Sequence, residues 1–223
     1  VAVDDPGVTA PQPQAEPHTE PPAEPQAEHA AIAALIARGE TETALARLAP
    51  LLEAHPADPA LRRLQARATV DPALAVQRWH ALRQALPDDP QAHVDLAEAV
   101  RERLGDPALA ETVLQSALER LPHSLPVLEA LVRSAARSGD DATLAAACRR
   151  LLAAHPEHAA TWDSLIAALH RLDRADDIAA LLAEAAEAAP DSLTLLLRLA
   201  AHSPPQRALA HYHRARARHP NQP

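Results

Sequence analysis

The chain has 223 residues, 48% of them apolar, yet only two Trp and one Tyr are aromatic and Phe is absent, so alanine and leucine must make its core. Few β-branched residues argue against extended sheet, and four glycines leave almost nothing from which to build a phosphate-cradling loop, so an all-helical protein remains. A formal net charge of −9 excludes the broadly basic surface that binds nucleic acid or anionic membranes.

Residues 1–28 mix Pro, Gln, Glu and Ala without apolar periodicity and cannot bury enough surface to offset the entropy of ordering them. They are predicted to form a disordered tail or linker. The segment carries six acids (Asp4, Asp5, Glu16, Glu20, Glu24, Glu28) and no base. It also lacks the basic stretch and apolar run of a secretory leader, and no later segment reaches the ~18 consecutive apolar residues that span a bilayer. The chain as given therefore points to the cytoplasm, without membrane insertion.

From His29 onward the sequence repeats itself. LLEAHPADPA at 51–60 returns as LLAAHPEHAA at 151–160, and DPALA at 71–75 returns at 106–110. Both spacings fit a unit of about 34 residues closed by a proline, and such prolines fall at Pro56, Pro87, Pro122, Pro156, Pro190 and Pro220. Six units follow: 29–56, 57–87, 88–122, 123–156, 157–190 and 191–220. Aligned on the prolines they share a mostly small column (Ala44, Ala75, Ala110, Leu144, Ile178, Ala208) and, four residues on, a large one (Leu48, Trp79, Leu114, Cys148, Leu182, Tyr212). A third column follows after three more residues, so all three lie on one helix face. An earlier apolar run in each unit is set apart by a turn at Gly39, Gly105, Gly139 or Asp173, which makes each unit a helical hairpin.

The remaining prolines sit on helix boundaries. Asp58, Asp71, Asp89, Asp106 and Ser203 each precede a proline, the order of an N-cap and a first helical residue. Units two and six are three or four residues short in the first helix, so those hairpins should pack less regularly.

This pattern resembles the tetratricopeptide repeat. Unit five carries it best, with Trp162, Leu165, Ile166, Leu169, Ile178, Leu182, Ala185 and Pro190 at the signature positions, although Ile166 and Ile178 replace the usual small residues. The resemblance covers roughly residues 29–220 and implies a right-handed all-α solenoid of about six hairpins with a continuous core and polar ends. In the last helix, Ala208, Leu209, Tyr212 and Ala215 are predicted to face inward, and Arg207, His211, Arg214 and Arg218 outward.

Few residues invite chemistry. The thirteen His residues suggest metal, but His55, His155 and His219 each directly precede a terminal proline, where a histidine favours the helix dipole, and the others lack ligand geometry. The single Cys148 excludes an intrachain disulfide and, by its column, reads as a buried thiol. Trp79 and Trp162 read as core. Neither a catalytic residue nor a metal site nor a cofactor is predicted.

The resemblance implies a concave groove lined by the first helices, which receives extended or helical peptide segments. Counted from the signature positions, its residues are Glu98, Arg101, Glu129, Arg133, Arg137, Asp163, His170 and Arg171. Arg133 and Arg137, one turn apart, suit a carboxylate or phosphate; alternatively, Arg133 pairs with Glu129 on its own helix. The chain has no Lys, and its only Asn is Asn221, so the family's clamp for C-terminal carboxylates is not implied. The function this suggests is a non-catalytic scaffold for protein or peptide partners. The alternative is a docking or regulatory module of a larger bacterial enzyme, such as a glycosyltransferase or sulfotransferase.

Overall fold

The computed structural model describes residues 24–219, which form twelve helices joined as six hairpins: α1 (Glu24–Ala37) with α2 (Thr41–Ala54), α3 (Pro59–Ala68) with α4 (Pro72–Ala85), α5 (Pro90–Leu104) with α6 (Pro107–Arg120), α7 (Leu125–Ser138) with α8 (Asp141–Ala154), α9 (Ala159–Arg171) with α10 (Asp176–Ala188), and α11 (Leu193–Ala201) with α12 (Pro205–Arg218). Of the tail predicted for 1–28, residues 1–23 lie outside the described residues. Residues 24–28 begin α1, earlier than the sequence suggests. Pro25 falls in the first turn, where a missing N–H costs nothing, and Glu28 pairs with Arg47 of α2 at 2.7 Å.

Local chemistry sets the boundaries. Asp58, Asp71, Asp89 and Asp106 each accept a backbone N–H from the first turn they cap, and a proline follows at the first helical position. Ser203 does not cap. Its hydroxyl donates to the Leu199 carbonyl at 2.6 Å, and α12 starts one residue later than predicted because Pro205, not Pro204, opens it. The turns at Gly39, Gly105 and Gly139 have positive φ, and Asp173 holds the same left-handed conformation at φ 57° despite its Cβ.

Three of the terminal prolines are also docking points. The carbonyls of Pro56, Pro87 and Pro156 are bound by the side chain six residues on: Arg62 at 2.7 Å, His93 at 2.8 Å and Trp162 at 2.8 Å. Two of the histidines before the prolines reach back to the start of their own hairpin. The His155 ring meets the His123 carbonyl at 2.9 Å and the His219 ring meets that of Asp191 at 2.7 Å. The proline-carbonyl bonds tie each of these first helices to the hairpin before it.

Second helices pack on the first helices of the following hairpins, and first helices also meet where α1 touches α3 and α5 touches α7. The first two helix columns are buried in hairpins one to five, Cys148 among them. In α12 only Ala215 is buried: Leu209 is 60% and Tyr212 47% exposed, contrary to expectation, because no further first helix covers them among the described residues. Arg207, Arg214 and Arg218 are exposed as predicted, while His211 is half-buried.

Two departures from regularity matter for function. The short first helices are confirmed, α3 with 10 residues and α11 with 9, and both still form hairpins. The core, however, is not continuous. Ile32, Leu35, Ala44, Leu48, Leu61, Leu64 and Ala68 make one apolar cluster, and a second runs from Ala66 and Trp79 through Leu199. The division passes along α3, which is a turn too short to bridge both sides. At hairpin five, Ile166 and Ile178 place branched side chains where helices usually cross on small ones. There α9 and α10 approach each other least closely of the six pairs, and a cavity of about 370 Å³ opens beside Trp162 and Leu181.

Candidate functional site

The predicted groove residues fall on the first-helix row, but most of them are spent on tying that row together. Arg133 pairs with Glu98 of α5 at 3.5 Å, not with Glu129 on its own helix. Glu129 instead meets the His158 ring, at the start of α9, at 3.1 Å. Arg101 donates to the Ser134 hydroxyl of α7. Asp163 accepts from Arg198 of α11, and that hydrogen bond holds its carboxyl below the usual range. Arg171 sits at the end of α9 and grips Asp141 of α8 through both nitrogens, at 2.5 and 2.8 Å, so it marks the turn edge and not the middle of the row.

These contacts join neighbouring hairpins, which a single-helix reading of Glu129 and Arg133 cannot see. Between exposed groups each adds little stability; together they link the hairpins from α5 to α11. Of the predicted set, Arg137 and His170 keep exposed side chains without an ion pair among the described residues. His170 lies near His202, whose protonation is disfavoured by burial first and then by the fields of His170 and Arg198.

A larger opening than the one at hairpin five lies further toward the N-terminus, between α3 and α5. It is a cavity of about 490 Å³ above the division in the core. Since α3 is short and does not close on α5, the gap exposes what a regular array would hide: the floor is Ile36, Ala99 and the indole of Trp79. Trp79 is only 7% exposed, so it is core as expected and at the same time the base of a cleft.

The walls carry both signs of charge. Arg63 joins Asp89 and Asp95, the latter at 3.4 Å, and Gln91 donates to Asp95 at 2.7 Å. Burial raises the Asp95 carboxyl above its ordinary pKa, against the opposing pull of Gln91 and Arg63. Arg67, Glu102 and Arg103 line the same cavity, are exposed, and have no hydrogen-bond or ion-pair partner among the described residues. Of this set only Glu98 belongs to the groove expected from sequence. Arg63 and Arg67, four apart on a helix, and the missing turn of α3 were the available signals.

Among the described residues no group of three or more His, Cys, Asp or Glu side chains is placed to hold a metal ion. Cys148 is buried, and burial pushes its thiol up to about 11, which leaves it protonated at neutral pH. No described helix is long and apolar enough to cross a membrane.

No family model matches the chain, and no curated protein matches it. Solved structures do. A thermophilic TPR protein of Thermus thermophilus aligns over 79% of this chain and 97% of its own, with 23% identity and a TM-score of 0.46. MamA from Desulfovibrio magneticus RS-1 aligns over 74% and 95%, with 16% identity and a TM-score of 0.49. PilW, a widely conserved type IV pilus biogenesis factor, aligns over 91% and 96%, with 16% identity and a TM-score of 0.48. At such identities and scores the likeness carries no function. In fold, as its own six hairpins show, the chain is an α-solenoid of tetratricopeptide-like repeats.

Proposed function

We propose that the protein is a non-catalytic scaffold that holds a segment of a partner protein along its first-helix face, with the cleft between α3 and α5 as the anchor point. One observation carries this reading. Where most of the row is tied up in hydrogen bonds and ion pairs, the cleft combines an apolar floor at Trp79 with Arg67, Glu102 and Arg103, which have no partner among the described residues and can pair with a ligand. A few convergent polar groups around a partly apolar concavity of several hundred cubic ångströms are what a binding site needs. An apolar side chain of the partner seats over the indole, and carboxylates beside it meet the two arginines, whose planar guanidinium groups grip such groups in bidentate fashion.

The experiment is capture from the source lysate on the full chain, beside Arg67→Glu/Arg103→Glu and Arg133→Glu/Arg137→Glu variants. All four arginines are exposed, so both variants keep their helicity. A partner held by the parent is lost from the first variant, by about tenfold or more in affinity, and weakened less in the second, since Arg133 acts mainly on Glu98. Equal capture by parent and first variant would refute the assignment.

A further inference from the structure

We infer that the chain associates head to tail with a second copy of itself, α1 of one copy seating on α12 of the next. The ends of the array differ from its interior in a complementary way. Tyr212 occupies the position held in earlier hairpins by Leu48, Trp79, Leu114, Cys148 and Leu182. Those five are between 0% and 7% exposed, and in each case the first helix of the next hairpin packs on theirs. Tyr212 is 47% exposed, and Leu209, three residues earlier on the same face, is 60% exposed.

The other end shows the matching deficit. Ala27, Ala30 and Ala34 of α1 are exposed. Their counterparts, His93, Leu96 and Val100 in α5 and Val127, Ala130 and Ser134 in α7, are all buried. A spacing of three and four puts the alanines on one face. Every residue from Ala30 to Ala37 is apolar, so the last two turns of α1 lack the polar outer face that a solvent-facing helix carries. The small side chains let a neighbouring helix come close.

Charge selects the pairing. Residues 1–28 hold six acids, of which Glu28 is already paired with Arg47, and no base, while the stretch after Asp191 holds five Arg and no acid. Arg207, Arg214 and Arg216 of α12 are exposed and without a partner among the described residues, whereas Arg218 turns back to Asp191. Like ends repel and unlike ends attract, which disfavours a symmetric dimer and favours head-to-tail order. The element that covers a second helix at five places in this chain is a first helix, and α1 is a first helix with an open face. On this inference its seat is α12 of another copy. Such a contact does not close on itself, so chains of copies grow with concentration.

Sedimentation velocity of the full chain over a concentration series to about 500 μM tests this, a range that still registers an interface at the small end of protein contacts. Two variants block one end each: Leu209→Glu/Tyr212→Glu on α12 and Ala30→Arg/Ala34→Arg on α1, all exposed positions, with far-UV circular dichroism to verify the fold. The parent is expected to form dimers and longer species that shorten as salt rises. Each variant alone stays a monomer, and an equimolar mixture of the two gives a dimer and nothing larger, because only one productive pair of ends remains. A parent that stays monomeric throughout, a mixture that gives no dimer, or an α12 variant that assembles like the parent would each overturn the inference. If the α1 variant failed to fold, the α12 variant alone would still decide it.

Discussion

Leu48→Ala should destabilise the N-terminal part of the array and leave the stability of the remainder unchanged. Leu48 is fully buried in the small cluster, where it is one of five large side chains beside Ile32, Leu35, Leu61 and Leu64. Losing three carbons removes about 2.4 kcal/mol at ~0.8 kcal/mol per buried methylene, and the space left behind raises the cost to about 3 kcal/mol. In an array where each hairpin touches only its neighbours, that loss stays where it arises unless the core transmits it. Here the core divides along α3. Hydrogen exchange read by mass spectrometry should show protection over residues 26–68 falling by about a hundredfold, with residues 90–200 unchanged. Leu165→Ala, equally buried but in the large cluster, is the control and should lower protection across α5 to α10. Uniform loss over the whole chain from Leu48→Ala would show that the two clusters are one cooperative unit and refute the reasoning.

Asp71→Ala removes the carboxylate that accepts the Leu74 N–H at 2.7 Å and should cost about 1 kcal/mol, read as a lower urea midpoint with an unchanged slope. Cys148, with its thiol near 11 and its side chain buried, should resist a thiol reagent at pH 8 in native buffer and react fully in denaturant; fast native reaction would contradict its place in the core. Burial gives folded Asp95 a pKa above its unfolded value, so the stability it contributes is present at low pH and is lost as pH rises through the folded pKa. Asp95→Asn should therefore gain in melting temperature relative to the parent between about pH 3 and about pH 7. A gain that shrinks with rising pH would mean that the Arg63 contact outweighs burial.

The hairpins were legible because their signals are local: proline spacing, caps at Asp58, Asp71, Asp89 and Asp106, left-handed turns at the glycines, and apolar columns with helical period. Even the short α3 and α11 could be read from residue counts. What the sequence did not disclose depends on neighbours in space. Arg133 and Glu129 look like a pair on one helix, yet each finds a partner on another. Tyr212 and Leu209 carry the pattern of inner residues, but a pattern does not say whether a helix arrives to cover them. Trp79 read as core, and is; that it also floors a cleft follows from the length of α3, a property of the helix beside it. The division of the core has the same origin.

Site-specific photo-crosslinking tests the central claim most directly. A photoreactive residue at Glu102, on the rim of the cleft, is compared with one at Glu187, an exposed position on α10 away from it. Illumination in cells of the source organism should give a discrete adduct with a partner protein at 102, abolished by Arg67→Glu/Arg103→Glu, and none at 187. An adduct at 187 with none at 102 would contradict the account and move the binding surface to the second helices.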